Sequence, residues 1–305
     1  METNTFYHQS VLLHECIENL NIKPNGIYLD ATFGGGGHSN EILKHLGPKG
    51  KLIVFDQDED AKQNLPDDNR VIFVQENFRY ANRFARLYKL KLDGVLADLG
   101  VSSYQFDTAE RGFSIRYDAQ LDMRMDQRTP LTATHILNMY SEKRLHQLFE
   151  EYGEVSNAKT LAKKIADTRS RMKITTINEF KQAIDGLMYG NQNKYLAQVF
   201  QALRIEVNDE MNALKEFLST ITNCLQNDGR LVIITFHSLE DRIVKQWMKL
   251  ESFEEEVFSF KNNEKKKQLK LVNKKPILPS AEEQKLNPRS RSAKLRVAQK
   301  IEHLS

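Results

Sequence analysis

The chain has only two cysteines in 305 residues, Cys16 and Cys224, and they form no C-x-x-C pair. That excludes a disulfide framework and a thiolate zinc site, suits a reducing compartment, and leaves no metal expected. Long apolar runs are missing too: nothing approaches the ~18 uninterrupted apolar residues of a membrane span, so no membrane partner is expected. Residues 1–10 are polar, carry Glu2 and show no basic-then-apolar leader, which predicts a cytoplasmic protein. No residue period points to a repeat architecture. Wholesale disorder is excluded by 40% hydrophobic against 28% charged residues. The length leans toward two domains, since one domain usually holds ~100–200 residues.

What is present is unevenly distributed. Residues 261–300 hold 13 Lys or Arg against 3 Glu, a balance of +10 in a chain of net charge +3, so the remainder carries −7. A basic carboxy-terminal segment on an acidic body fits a polyanionic partner at one end. The plain alternative is a solvated, lysine-rich hairpin.

The first hundred residues alternate strand and helix signals. Strands are expected at 27–32, 51–56, 71–74 and 93–99, with helices at 39–46 and 78–88. This β-α-β-α rhythm of near-continuous Val/Ile/Leu runs predicts an α/β fold with a doubly wound parallel sheet. The next convincing strand, 230–236, comes about 130 residues after Asp98, so a helical domain is inserted between them. In it, Ser141 and Ser156 read as helix openers, and Thr176 with Glu179 as a capping box. Leu196, Val199, Phe200, Leu203 and Val207 form an apolar stripe, and a last helix is expected over 208–226. Helix 238–249 and a late strand within 292–301 follow, giving an antiparallel edge hairpin. The boundaries expected are 1–105 with 216–305 for the sheet domain and 106–215 for the helical insert.

Chemistry concentrates at strand ends. The cluster Gly34-Gly35-Gly36-Gly37 lies between a buried strand and a helix, where backbone passes close to a ligand and helix N–H groups point outward. It fails the dinucleotide fingerprint, with Ser39 where a third glycine belongs, and no P-loop exists. Asp30 just before it suits a ligand that carries a cation. Asp56 ends the second strand 19 residues after Gly37, close to the ~20-residue offset at which an acid accepts ribose hydroxyls. Phe78 could stack on a flat base or join the core. Asp98 ends the fourth strand, and Gln105 follows closely. In such sheets ligands bind beyond the carboxyl ends of the strands.

The strings DATFGGGGHS (30–39), DLGVSSYQFD (98–107), AERGFS (109–114), LDMRMD (121–126), FQALRIEVNDE (200–210), ITFHSLEDRIVK (234–245) and NPRSRSAKLRVA (287–298) resemble the bacterial 16S ribosomal RNA cytosine-N4 methyltransferases. The likeness runs nearly end to end. One departure precedes the FQA string, where Asn193-Lys194-Tyr195-Leu196 stands in place of the family's His-Pro, so no role is carried over there. The resemblance implies a Rossmann-like class I methyltransferase sheet with an inserted all-helical, substrate-recognising domain. It further implies an enzyme that methylates the amine of a decoding-centre cytidine from S-adenosyl-L-methionine, with 16S ribosomal RNA or the small ribosomal subunit as partner. It assigns Gly36, Gly37, His38, Asp56, Phe78, Asp98 and Gln105 to the cofactor; His38 rests on the resemblance alone. A homodimer is left open.

A cytosine amine is a poor nucleophile, and acceptors on its protons would stabilise charge as it forms. Asp98, Asp122, Arg124 and His237 are the catalytic candidates, none singled out. Segment 121–126 alternates apolar and charged residues, so Asp122 and Arg124 either hold a flipped base or phosphate or belong to a half-buried extended segment. His237 and Ser238 follow the fifth strand; Ser238 with Asp241 fits a capping box, and no G-x-S-x-G elbow supports a hydrolase. Arg289 and Arg291 clamp phosphates or decorate a turn. The rival functions are a nicotinamide-dependent oxidoreductase and a non-catalytic RNA-binding protein on the same fold.

Overall fold

The computed structural model describes residues 10–188, 190–253 and 267–302. In chain order the elements are α1 (Leu13–Leu20), β1 (Ile27–Asp30), α2 (Gly37–His45), β2 (Lys51–Phe55), β3 (Val71–Val74), α3 (Ala81–Leu87), β4 (Leu92–Asp98), α4 (Ser103–Asp107), α5 (Ala133–Met139), α6 (Glu142–Glu151), α7 (Ala158–Arg169), α8 (Ile177–Ala183), α9 (Gln192–Asn208), α10 (Glu210–Ile221), β5 (Leu225–Thr235), α11 (Ser238–Leu250), β6 (Leu269–Leu271), α12 (Ala281–Leu286) and β7 (Lys294–Lys300). The chain divides into two compact units, Met1–Gly100 with Asn212–Ser305, and Val101–Met211.

The first unit is built on a seven-stranded sheet of order β3-β2-β1-β4-β5-β7-β6. Strands β1 to β5 pair in parallel, whereas β7 runs antiparallel to both β5 and β6. This is the doubly wound α/β class with an antiparallel edge hairpin. Its central strands are apolar on both faces because each face is covered: Leu29, Ile53, Val95 and Ile233 belong to one buried cluster, and Tyr28, Leu52, Leu96 and Val232 to another. At the sheet's edge Arg296 and Lys294 of β7 bind Asp241 of α11, at 2.6 and 3.3 Å. Two of the thirteen basic residues of 261–300 therefore share one carboxylate within the fold, which offsets one of their two charges.

The Val101–Met211 unit is helical and has its own core, in which Phe149, Leu161, Phe180 and Leu203 are fully buried. Ser141 caps α6 by accepting from the Arg144 N–H, and Thr176 with Glu179 closes the capping box of α8. All five residues of the apolar stripe on α9 are buried.

Two helix boundaries differ from the sequence expectation. Helix α7 opens after Asn157, not Ser156, and the Asn157 side chain instead reaches the Leu187 carbonyl and the Tyr195 hydroxyl. Helix α10 stops at Ile221, five residues before the expected end. Leu225 pairs with Leu92 of β4 instead, where its side chain is buried in the sheet, so tertiary pairing overrides the helical pattern.

Candidate functional site

The carboxyl ends of β1, β2 and β4 carry Asp30, Asp56 and Asp98, and the glycine loop runs from β1 into α2. Gly34 and Gly36 take positive φ, at 50° and 75°. Gly36 is the N-cap of α2 and offers no side-chain acceptor, so the first N–H groups of that helix lack a side-chain cap. A Cβ on Gly37 would run into Ser10 Oγ. The loop is tied at one residue from both sides: the Gly34 N–H donates to Asp56 Oδ2 at 2.7 Å, and Asn64 donates to the Gly34 carbonyl at 3.0 Å.

Asp56 also accepts from the Asp58 N–H at 2.9 Å. Burial raises its carboxyl to about 6, against the pull of the Asp58 and Gly34 N–H groups. At neutral pH it is a carboxylate whose oxygens each retain a lone pair, as ribose hydroxyls require. Phe78 is half-buried and packs edge-on against Phe217, with centroids 5.2 Å apart. Asn77 caps the short 3-10 turn that carries it.

Asp30 is fully buried; its oxygens accept from Ser39 Oγ at 2.6 Å and the Thr32 N–H at 3.1 Å. Asp98 is treated differently. Its backbone N–H donates to Thr32 Oγ1 at 2.7 Å, yet its Oδ1 is buried with no hydrogen-bond partner among the described residues. Burial, then Asp30 and Glu240, push this carboxyl well above the usual range. Buried His38 lies 3.0 Å from the Val11 carbonyl through Nε2 and 3.8 Å from Asp98 Oδ2 through Nδ1. Thr32, Ser39 and Asn64 were not singled out by sequence reasoning. Their work is to hold a neighbour, and a lone hydroxyl or amide carries no sequence signal of that.

His237 does not behave as a free catalytic imidazole. It is the N-cap of α11 and forms a capping box with Glu240, whose carboxylate accepts from the Phe236 N–H at 2.8 Å. Its Nε2 lies 3.1 Å from Glu240 Oε1, without hydrogen-bond alignment. The expected cap at Ser238 with Asp241 is therefore displaced by one residue, and Asp241 serves Arg296. The spacing His-x-x-Glu at 237–240 was the signal for it.

In the helical unit, Gln105 is buried and closes a capping box with Ser102, at 3.1 Å in both directions. Asp122 and Arg124 bind each other: Nε to Oδ1 at 2.8 Å and Nη2 to Oδ2 at 2.7 Å. Arg124 also donates to the Gln127 and Thr129 carbonyls. Burial raises the Asp122 carboxyl, but Arg124 more than offsets this and holds it below the usual range. Leu121, Met123 and Met125 are buried between the charged positions, the arrangement of a half-buried segment. Arg289 and Arg291 lie on a 3-10 turn (Pro288–Ser292) capped by Asn287, with Arg291 exposed. Lys265 and Lys266 lie outside the described residues.

No helix among the described residues is long and apolar enough to cross a membrane. A family model described as the MraW methylase family matches residues 5–301. A protein of Bacteroides fragilis strain YCH46 named ribosomal RNA small subunit methyltransferase H is 51% identical over 302 residues, covering 98% of this chain and 99% of that protein. A protein of the same name from Flavobacterium psychrophilum is 51% identical over 291 residues, covering 95% and 100%. Among solved structures, a chain titled putative rRNA-methylase from Clostridium thermocellum aligns over 96% of this chain and 98% of its own at TM-score 0.47 and 9% identity, too distant to add to the argument.

Proposed function

Because the chain belongs to the MraW methylase family, we propose that it transfers a methyl group from S-adenosyl-L-methionine to the N4 amine of a decoding-centre cytidine in 16S ribosomal RNA. Ribosomal RNA of the small subunit is the substrate class named for relatives half identical over nearly the whole chain. The observation that carries the cofactor assignment is the buried, unpartnered Oδ1 of Asp98 at the end of β4, on the same carboxyl-end edge of the sheet as the glycine loop after β1 and Asp56 after β2. A ligand with a fixed positive charge and a ribose answers both needs: a cation for Asp98 and two hydroxyls for Asp56.

The sulfonium of the bound cofactor supplies an already activated methyl group. What the chain contributes is placement and electrostatics. Gly36 and Gly37 bring backbone close to the ligand at the start of α2. Asp56 accepts the ribose hydroxyls, and Phe78 offers a half-buried ring for the adenine. Asp98 compensates the positive charge, and His38, fixed by the Val11 carbonyl, stands behind it. Gln105 is kept in the set by the family resemblance alone. Asp98 is the catalytic candidate we retain. His237 serves as a helix cap, and Asp122 and Arg124 neutralise each other. The helical unit is assigned to substrate recognition, and the protein to the cytoplasm.

Labelled methyl transfer from S-adenosyl-L-methionine to small-subunit RNA, with digestion and identification of the product nucleoside, tests the reading. N4-methylcytidine is expected. Binding of RNA without transfer would favour the non-catalytic alternative. Calorimetric binding of NAD in place of S-adenosyl-L-methionine would favour an oxidoreductase.

A further inference from the structure

Resting on that cofactor reading, we infer that Asp98 is a neutral acid in the cofactor-free protein and surrenders its proton to solvent when a positively charged sulfur arrives, so that the crevice selects sulfonium over thioether. Asp98 thereby becomes a specificity-determining residue that separates substrate cofactor from spent product.

The geometry begins with His38. A carbonyl oxygen only accepts, so the 3.0 Å contact with Val11 requires the hydrogen to sit on Nε2. Full burial holds the ring below its ordinary value and keeps it neutral, which leaves Nδ1 with a bare lone pair. That nitrogen lies 3.8 Å from Asp98 Oδ2, beyond hydrogen-bond reach, so His38 gives the carboxyl no donor. A neutral ring with its acceptor nitrogen on this side does nothing to stabilise an ionised Asp98, whereas a proton on Asp98 removes the need for a donor. The other oxygen, Oδ1, has no donor either. A carboxylate whose Oδ1 is buried without a donor, on a side chain only 25% exposed, would be a poorly compensated charge.

Every neighbouring element agrees. Asp30 ends β1, Glu240 lies on α11, and Cys16 lies on α1; each feels or adds to the negative field at Asp98, and His38 on α2 is neutral. Burial raises the Asp30 carboxyl as well, but Asp30 and Glu240 already accept from Ser39, Thr32 and Phe236, whereas Oδ1 of Asp98 has no donor among the described residues, which makes Asp98 the acid that holds the proton. A permanent cation reverses the balance, because it favours the ionised carboxyl. The binding step is then Asp98 carboxylic acid plus sulfonium giving a carboxylate–sulfonium pair and one proton in solvent. The sulfur, not the amino-acid ammonium, is the group set against Asp98; S-adenosylhomocysteine keeps the ribose and the ammonium but lacks the sulfonium charge, so in that arrangement it expels no proton from Asp98.

Calorimetry of the full chain with S-adenosylmethionine and S-adenosylhomocysteine across pH, in buffers of different ionisation heat, reads the effect directly. The affinity ratio should climb by about tenfold per pH unit while Asp98 is ionised in the sulfonium complex and still protonated in the thioether complex, with one extra proton released by the sulfonium. Titration of Asp56 cancels in the ratio because both ligands carry the same ribose. In Asp98→Asn, which mimics the neutral acid, the ratio should be flat with pH. A pH-independent ratio in the unaltered protein, or an undiminished slope in Asp98→Asn, overturns the inference. Carbon-13 NMR of the Asp98 carboxyl in the cofactor-free protein gives a second readout: a neutral acid persisting above the ordinary carboxylate range is expected, and a carboxylate there refutes the inference. If neither ligand binds at any pH, the cofactor reading itself fails, and the carboxyl titration still decides the protonation of Asp98.

Discussion

The strand ends of the sheet unit and segment 121–126 of the helical unit both set carboxyl groups beside buried apolar side chains, and they treat them in opposite ways. At the strand ends, burial raises the Asp56 and Asp98 carboxyls, and no cation among the described residues of the unit answers them. In segment 121–126, arginines two residues on hold the Asp122 and Asp126 carboxyls below the usual range despite burial. One region leaves an electrostatic demand open for a ligand, whereas the other closes it internally. Perturbation upward with an unmet partner marks a binding site; perturbation downward by a neighbouring arginine marks a structural pair.

The comparison breaks most visibly if the two cores are not independent. Phe180→Ala removes a fully buried ring from the helical core and should destabilise that unit by about 3–5 kcal/mol. The single tryptophan, Trp247, lies in the sheet unit, so its fluorescence should report a transition later than the loss of helix by circular dichroism. Coincident transitions would show one cooperative structure instead.

The next effect is on the ligand. Asp56→Ala should weaken S-adenosylmethionine binding by about 1.5–3 kcal/mol through lost charge-assisted bonds. An unchanged dissociation constant refutes the ribose assignment. Stability should move the other way in Asp56→Asn. A carboxyl whose folded value is raised to about 6 binds more protons folded than unfolded, so its ionisation costs stability as pH rises through 4 to 6. The Asn variant should therefore lose less stability than the unaltered protein over that range in urea titrations.

Asp122→Asn has the reverse sign. A lowered folded value contributes stability above the unfolded one and loses it as pH falls, so this variant should be less stable at pH 7 by about 1 kcal/mol and the difference should fade in acid. A stabilised Asp122→Asn would mean that the pair is strained and held for RNA. Smallest is the effect of the basic edge. Changing exposed Lys267, Lys270 and Arg291 to Gln should flatten the log-affinity versus log-salt line for RNA by about 2 units, with cofactor affinity unmoved. An unaltered slope returns the segment to a solvated hairpin.

Much of this was legible without coordinates, because it depends on neighbours in sequence. Apolar runs ending in Asp30, Asp56 and Asp98 gave the strands and their functional ends, and the Thr176–Glu179 spacing gave a capping box, since a cap spans only three residues. His237 with Glu240 and Ser102 with Gln105 follow the same local rule and were open to the same reading. The helix end at Ile221 was not, because Leu225 answers to Leu92, more than a hundred residues earlier.

The strands, the glycine turn, most helix caps and the insertion of a helical region were determined by the sequence itself, through periodicity of side chains and the backbone freedom of glycine. Arginines two residues on answer Asp122 and Asp126 locally, but tertiary structure alone decided which of the other charges are answered. The same residue type, aspartate, became a cap acceptor, a salt-bridge partner to Arg296 or an unpartnered acid at the end of β4, depending on what the fold packed beside it. Local pattern places a carboxyl on an element, but desolvation and distant partners set its charge, and those exist only once the chain has folded.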